Sequence, residues 1–205
     1  MAFPTTNAAQ ELPAVNEILA SVGQAPVTTL DQTNPDVAIA YDALINTSRE
    51  VQAEGWTFNT EEFYELTPNS AGEVVIPNNV LQLDVHEEKH NTHDSIRRNG
   101  KLYDKVDHTY DWSDWSTVAC DIVWLFDWVD LPRPVQDYIV ARAAAVVSSR
   151  IVGDSQQYQI LKQKEVFNRA VALEYECNQG DYTFFGNERG RKVYNSYQPY
   201  QALSR

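Results

Sequence analysis

The chain has 205 residues, with 16 basic and 29 acidic side chains, a formal net charge of −13 and two cysteines. This length is enough to bury a hydrophobic core in one domain, or in one domain that carries an insertion. The chain has no apolar run of about 18 residues for a membrane span, and residues 1–13 lack the basic start and apolar stretch of a secretory signal, so we expect a soluble protein without a membrane partner.

The charge and the cysteines exclude further classes of protein. A strongly acidic chain repels phosphate backbones, so tight binding of DNA or RNA is not expected. Cys120 and Cys177 are too few and too isolated for a disulfide framework or a thiolate zinc site, and we predict two buried free thiols.

Helical spacing of apolar residues predicts two helices in the first 55 residues. The first covers residues 12–22 and the second covers residues 35–54. Proline suits the first helical turn, asparagine caps an N-terminus, and glycine adopts the left-handed conformation at a C-terminus. The residues in these positions are Pro13 and Gly23 in the first helix, and Asn34, Pro35 and Gly55 in the second.

From residue 56 to residue 132 the spacing changes from helical to alternating, which predicts β-strands. Asn99-Gly100 predicts a two-residue hairpin turn, because both residues tolerate positive φ. The predicted strand segments are a lead that contains Trp56, Phe58 and Phe63, followed by residues 74–76, 80–85 and 118–126.

Two more helices are predicted after Pro132. The third covers residues 133–151 and the fourth covers residues 154–177. Gly153 suits the C-terminal cap of the third helix. Asp154 is expected to cap the fourth helix while the side chain of Gln157 reaches back in a capping box. Tyr158, Leu161, Phe167, Val171 and Glu174-Tyr175 predict that this helix is amphipathic.

These elements predict an α+β fold. Two N-terminal and two C-terminal helices close into a four-helix bundle, a central antiparallel β-rich insertion projects from it, and an extended tail follows. The predicted divisions are residues 1–55 with 133–180 for the helical domain, 56–132 for the β-rich lobe, and 181–205 for a C-terminal interaction arm.

One catalytic motif stands out in the β-rich region. Residues 86–90 read His-Glu-Glu-Lys-His and match the H-E-x-x-H pattern of zinc proteases, with His93 close behind. That chemistry requires a helix, whereas this segment follows an alternating strand pattern and has no apolar face to bury. A catalytic zinc and a structural or adventitious metal are both possible readings, but a solvated hairpin or loop is favoured, and we predict no metal.

A second motif combines tryptophan and aspartate within residues 111–130. Indole faces stack on sugars, and two carboxylates at a suitable separation hydrolyse glycosides, so a glycan-binding or glycan-hydrolysing lobe is the alternative function. The favoured reading is that the tryptophans pack the lobe or anchor protein contacts. The candidate contact residues in this segment are Trp112, Trp115 and Trp128.

Other catalytic signatures are missing from the sequence. It has no G-x-S-x-G nucleophile elbow, no G-x-G-x-x-G fingerprint and no phosphate-binding loop. We therefore expect neither an enzyme nor a cofactor.

The C-terminal arm mixes basic and aromatic residues. This composition suits an extended arm that contacts an acidic protein neighbour, although a disordered end and a grip on single-stranded nucleic acid are the alternatives. The candidate contact residues are Phe184, Phe185, Arg189, Arg191, Lys192, Tyr194, Tyr197 and Tyr200.

Residues 14–27 and 51–59, together with several later segments in a matching order and spacing, resemble the tail tubular protein A family of T7-like short-tailed bacteriophages. The two N-terminal segments, residues 14–27 and 51–59, carry most of this resemblance. The remaining matches are Arg98-Asn99-Gly100-Lys101-Leu102-Tyr103-Asp104, Asp130-Leu131-Pro132, residues 138–144, Glu174 and Gly180-Asp181-Tyr182.

The resemblance implies a structural virion protein and no catalysis. Members of that family form an adaptor ring of twelve copies in the phage tail, a head-to-tail connector that is assembled in the host cytoplasm. The ring docks on the portal, receives the nozzle protein (tail tubular protein B) and helps to seat the tail fibres. Genomic DNA passes through its lumen without specific binding.

Overall fold

The computed structural model describes residues 8–86 and 92–180, together with the backbone of residues 182–183 and 186–187. This part of the chain contains four α-helices: α1 (Ala8–Ser21), α2 (Pro35–Gln52), α3 (Arg133–Ile151) and α4 (Ser155–Gly180). Its strands are β1 (Thr60–Leu66), β2 (Val80–Val85), β3 (Ser95–Arg98), β4 (Lys101–Asp104), β5 (Val118–Trp124), β6 (Tyr182–Thr183) and β7 (Gly186–Asn187). The predicted α+β class is confirmed.

The predicted helix ends are largely confirmed. The Asn34 side chain accepts a hydrogen bond from the Asp36 N–H and caps α2, and Gly23, Gly55 and Gly153 all have the left-handed φ expected after a helix. The start of the first helix was predicted wrongly. Because α1 begins at Ala8, Pro13 lies inside the helix and not in its first turn.

The predicted capping box of α4 is also wrong. The carboxylate of Asp154 accepts a hydrogen bond from the Gln156 N–H at 2.9 Å and does cap the helix. The Gln157 side chain, however, points away from this cap and donates to the carbonyl oxygen of Ser21 at the end of α1. A tertiary hydrogen bond has replaced the local one.

Helix α3 is the centre of the helical part. It packs against α1, α2 and α4, and its small residues allow these close approaches. The buried α3 side chains are Val135, Tyr138, Ile139, Val140, Ala141, Ala143, Ala144, Ala145, Val147 and Ser148. Helix α4 packs mainly against α3, so it lies on one side of the other helices.

The three-stranded antiparallel sheet has the order β1-β5-β2. Val118 pairs with Leu66 on one side of β5, and Cys120 pairs with Val85 on the other. A bulge interrupts β1 at Phe63, whose φ is 61°. The sheet lies over a hydrophobic cluster that includes Ile122.

Two parts of the strand prediction are wrong. The lead containing Trp56 and Phe58 forms a turn that directs the chain from α2 into β1. Within residues 74–76, only Val75 makes a bridge, to Lys101. Side-chain burial explains both errors, because Trp56 and Val74 are buried in the cores without belonging to a strand.

The predicted hairpin is confirmed. Strands β3 and β4 pair through Arg98 and Lys101, and the turn residues Asn99 and Gly100 have φ values of 54° and 73°. The hairpin is joined to β2 by two hydrogen bonds, from the Val85 N–H to Ser95 Oγ at 3.2 Å and from Arg97 Nη1 to the Val80 carbonyl at 3.1 Å.

The buried residues form two hydrophobic clusters. One lies among the helices and includes Val15, Leu44 and Ile139, and the other lies under the sheet and includes Leu102, Trp112 and Ile122. Phe126 packs against both clusters. We keep the name β lobe for residues 56–132; the division of the chain into domains remains a prediction.

Two buried amides join the helical cluster to the strands. The Gln52 side chain accepts a hydrogen bond from the Phe126 N–H at 2.8 Å and donates one to the Phe126 carbonyl at 3.2 Å. Asn59 Nδ2 donates to the carbonyl oxygens of Gln52 and Trp124 at 2.9 and 2.8 Å.

Two general expectations can be compared with the described residues. None of the helices described is long and apolar enough to cross a membrane. Both cysteines are free thiols, as predicted, but only Cys120 is buried, while Cys177 is exposed on α4. Burial raises the pKa of the Cys120 thiol to about 12, which makes it unreactive.

Candidate interaction surfaces

Helix α4 exposes a large apolar surface. Of its 26 residues, only Ala172 and Gly180 are buried. Ile160, Val166 and Phe167 are 66%, 68% and 67% exposed, which is unusual for side chains of this size. We define the outer face of α4 as Ile160, Val166, Phe167, Val171 and Leu173.

The outer face lies opposite the side that packs on α3. At 100° per residue, the partly buried Leu161 and Asn168 and the buried Ala172 lie on one side of the helix. The exposed apolar residues form two strips beside the opposite side, with Ile160, Phe167 and Val171 in one strip and Val166 and Leu173 in the other. Asn168 Nδ2 donates to the Asp137 carbonyl of α3 at 3.1 Å. Of the apolar residues that predicted an amphipathic helix, Leu161 packs on the helical cluster, whereas Phe167 and Val171 are exposed.

The position of α4 is fixed by polar contacts along its length. Lys164 Nζ lies 2.6 Å from the Glu17 carboxylate on α1, and the Glu176 carboxylate accepts a hydrogen bond from the Thr57 N–H at 2.7 Å. These contacts are at the sides of the helix and leave the outer face uncovered.

The charge of α4 is balanced, in contrast to the charge of the whole chain. Its three basic residues stand against three acidic ones, whereas the chain carries a net charge of −13. These residues are Lys162, Lys164 and Arg169, and Glu165, Glu174 and Glu176. A second acidic protein can therefore approach this helix with less repulsion than elsewhere.

The three candidate tryptophans lie in different environments. Trp112 is only 2% exposed and donates from Nε1 to the Leu102 carbonyl, so it packs the β lobe and leaves almost no surface for a partner. Trp115 is half-buried, with its ring edge-on to His93. Trp128 is partly buried against the helical cluster, and its carbonyl accepts a hydrogen bond from Gln136.

The aspartates among these tryptophans have structural contacts. Asp111 Oδ1 accepts a hydrogen bond from the Ser113 N–H at 2.9 Å, and this bond lowers the pKa of Asp111. A general acid in glycoside hydrolysis requires the opposite shift. Both Asp121 oxygens lie 2.8 Å from His86 Nδ1. Neither carboxylate is arranged as a glycosidase acid, so the geometry gives the alternative function no support.

The histidines also have partners within the β lobe. His86 follows β2 and not a helix, and the other residues of the H-E-x-x-H match, 87–90, lie outside the described residues. His93 Nδ1 lies 2.5 Å from Asp104 Oδ2. Among the described residues, His93, Asp104 and Asp107 are the one His/Cys/Asp/Glu group close enough to share a metal ion.

The Asp104 carboxylate of this group already has hydrogen-bond partners within the β lobe. Asp104 Oδ1 accepts a hydrogen bond from the Val106 N–H at 2.7 Å and shapes the loop after β4. Burial pushes the pKa of the Asp104 carboxyl upward, but hydrogen bonds from His93 and from the backbone N–H groups of Val106 and Asp107 outweigh it, so this pKa is lowered.

Most of the predicted arm lies outside the described residues, where the structure gives no test of it. This applies to Phe184, Phe185, Arg189, Arg191, Lys192, Tyr194, Tyr197 and Tyr200. The backbone of β6 and β7 forms a short antiparallel pair, with Tyr182 opposite Asn187. The prediction that this segment contacts another protein stays a prediction.

Sequence reasoning missed the outer face of α4. A signal was present, since large apolar residues at positions 158, 160, 161, 166, 167, 171 and 173 surround the helix and do not follow one stripe. Such a helix is expected to be covered on both sides. The described part of this chain covers only one of them.

Comparison with known proteins identifies the family of this chain. The family model described as "Tail tubular protein" matches residues 12–182. Tail tubular protein A of Klebsiella phage KP34 is 29% identical over 171 residues, which cover 83% of this chain and 89% of that protein. The family match includes all four helices apart from the start of α1, and it includes the whole β lobe. The chain belongs to the tail tubular protein family and is a structural component of a bacteriophage tail.

Proposed function

We propose that this chain is the repeating subunit of an adaptor ring that joins the portal to the tail nozzle. The ring contains twelve copies, contacts the portal, the nozzle protein and the tail fibres, and forms part of the channel through which DNA is ejected. The observation that supports this proposal best is the outer face of α4, an apolar surface on a tail protein that requires a protein partner.

The partner proposed for the outer face of α4 is a second copy of this chain. Balanced charge on α4 allows two acidic subunits to meet there. Burial of a side chain such as Phe167 or Ile160 contributes roughly 1.5–3 kcal/mol, so a few such residues stabilise a permanent contact. A ring is the closed form of repeated contacts between two different surfaces of one subunit.

The other surfaces of the subunit are assigned to the portal, the nozzle and the fibres. The helical part and the arm at residues 181–205 contact the portal and neighbouring subunits, and the β lobe faces the nozzle and the fibres. Acidic side chains line the lumen, where they keep DNA from adhering. Deletion of residues 187–205 is expected to weaken docking of the ring without unfolding the helices.

The test of the proposed function uses phage particles that carry substitutions on the outer face of α4. Phe167→Glu puts a charge at the centre of the contact and is expected to give filled heads without an adaptor ring in electron micrographs. Phe167→Leu keeps the site apolar and is the matched control. The free energy of unfolding of both purified variants should lie within about 1 kcal/mol of the value for the parent, because this side chain is exposed in the subunit. Normal tails on Phe167→Glu particles would contradict the proposal.

A further inference from the structure

The two ends of the β lobe carry opposite charge. Strand β1 presents Glu61, Glu62 and Glu65, all of them exposed. The β3–β4 hairpin has Arg97, Arg98 and Lys101 against a single acid, Asp104. Lys101 Nζ is paired with Glu73 Oε1 at 2.7 Å, so the two arginines carry the remaining positive charge. The charge of the hairpin is therefore opposite in sign to that of β1 and to the net charge of −13 on the whole chain.

The order of the strands places these two segments far apart within one subunit. Strand β1 is one edge of the β1-β5-β2 sheet. The hairpin lies beyond the other edge, because its hydrogen bonds from Arg97 and to Ser95 join it to β2. The acidic strand and the basic hairpin therefore cannot neutralise each other within the same chain.

Each segment also exposes apolar surface beside its charges. Tyr64 on β1 is 39% exposed. Beside the hairpin, Ile96 is 44% exposed and Val75, which bridges to Lys101, is 59% exposed. Apolar contact surrounded by complementary charge is the usual composition of a protein interface.

The hairpin surface is held in a fixed shape. Ile96 pairs with Tyr103 and Arg98 pairs with Lys101, so these four side chains share one face of the hairpin. Leu102, on the opposite face, is fully buried and anchors the hairpin. The Arg98 guanidinium lies 4.0 Å from the centre of the Tyr103 ring, which restricts its motion before any partner arrives.

Strand β1 is suited to a side-chain contact and not to strand pairing. In the part of the chain that the structure describes, β1 pairs with β5 alone. The bulge at Phe63 and the row of glutamates discourage another strand from pairing with its open edge. A partner with basic side chains is therefore favoured there.

We propose that the β3–β4 hairpin of one copy of this chain docks against β1 of the next copy, with Arg98 facing Glu62. This inference rests on the proposed ring and specifies a contact between its neighbouring subunits. Complementary patches at opposite ends of one subunit produce head-to-tail contacts, and repeated contacts of this kind close into a ring when the rotation fits. The contact adds to the one at the outer face of α4.

The first test is a charge exchange in phage particles. Arg98→Glu alone and Glu62→Lys alone place like charges together at every subunit contact, and each is expected to lower the yield of tailed particles about 10-fold or more. The chain with both substitutions restores opposite charges and should recover most of this yield. The control pair, Arg150→Glu and Asp42→Lys, changes exposed charges on α3 and α2, away from the hairpin and β1. Whatever yield each control has alone, combining the two should restore none of it.

Failure of the double variant to recover would overturn the proposed contact. The same holds if each single variant assembles normally. If the hairpin bound DNA, Arg98→Glu would be harmful whether or not Glu62 was changed, so recovery separates the two partners. Thermal unfolding of each purified variant verifies that the subunit is folded.

The second test is cross-linking. In a Cys177→Ser background, Arg98→Cys with Glu62→Cys is expected to give a ladder of covalent oligomers when particles are treated with a short bis-maleimide, and neither single variant should give one. Cys177 must be removed because it is exposed, whereas Cys120 is buried and remains unreactive. The control pair Arg150→Cys with Asp42→Cys should give no ladder.

The two proposals can fail separately. Particles that show a ring by electron microscopy but give no ladder from Arg98→Cys with Glu62→Cys would overturn the hairpin contact and leave the adaptor function intact. Particles without a ring of this protein would overturn both.

Discussion

Individual residues of this protein show how local geometry controls the loops of the β lobe. Gly72 has a φ of 76°, and its carbonyl oxygen accepts a hydrogen bond from the Trp112 N–H at 2.7 Å. This bond joins the loop before β2 to the segment that buries Trp112. Asp104 has a similar role after β4, because its carboxylate binds His93 and two backbone N–H groups. The polar groups of the lobe therefore position its aromatic core.

Gly72→Ala is expected to destabilise the protein by about 2–4 kcal/mol, because it combines an unfavourable φ with a steric clash. A Cβ atom at this position would overlap the Asp111 carboxylate and lie 3.3 Å from Ser113 Cβ. Gly153→Ala is the matched control. It has a φ of 68° but no atom within 4 Å, so it should cost only about 1 kcal/mol. Urea denaturation measures both values, and equal losses would show that the clash is unimportant.

Asp104→Asn is expected to lower the free energy of unfolding by about 2 kcal/mol at pH 7. Because the pKa of Asp104 is lowered in the folded state, its ionised form contributes stability above the ordinary value of 3.8, and this contribution is lost as the pH falls through the folded value. The difference between parent and variant should therefore shrink below about pH 4. Denaturation at several pH values measures it, and a difference that stays constant into acid would contradict this origin. Asp107→Asn, in the same loop, is the control.

The elements of the protein differ in how far local signals determine them. Helix α2 begins after Asn34, which caps its N-terminus, and it ends shortly before Gly55, which has a left-handed φ. The β3–β4 hairpin is likewise specified by Asn99-Gly100. Helix α4 is different. Its start follows from Gly153 and Asp154, but which of its apolar sides is covered depends on α3.

Asn34→Ala tests the local control of α2. Loss of the bond from the Asp36 N–H to Asn34 Oδ1, which is 3.0 Å long, should cost about 1 kcal/mol. Asn34→Asp keeps an acceptor and adds a charge that favours the helix N-terminus, so it should be at least as stable as the parent. Thermal unfolding compares the three proteins, and an unchanged Asn34→Ala variant would show that the cap is dispensable.

At the scale of the whole molecule, helices and strands are joined by buried polar contacts. Gln52 and Asn59 are both fully buried, and both bind backbone groups near the end of β5. Asn59 Oδ1 also accepts a hydrogen bond from the Trp56 N–H at 2.8 Å. Satisfied networks of this kind fix the arrangement of neighbouring elements, because a misplaced partner would leave a buried group unbonded.

Asn59→Ala removes three of these hydrogen bonds and is expected to destabilise the protein by about 3 kcal/mol, since the groups at residues 52, 56 and 124 lose a buried partner. Hydrogen exchange should show faster exchange in β5 and at the end of α2 together. Asn46→Ala on the exposed side of α2 is the control and should change stability by less than about 0.5 kcal/mol. Faster exchange confined to one of the two elements would contradict the proposed link between them.

The sequence by itself determined the α+β class, the ends of α2 and α3, the β3–β4 hairpin and the family. Helix ends and the hairpin turn are predictable because proline, asparagine and glycine act through local backbone geometry. The family is recognisable because its segments are local patterns of sequence. The tertiary structure alone decided what those elements touch. It showed that Trp112 packs the β lobe, that Gln157 binds α1, and that Phe167 lies on an open face of α4. Burial depends on which neighbours arrive from distant parts of the chain, and an apolar residue has the same appearance in sequence whether it meets its own core or another subunit.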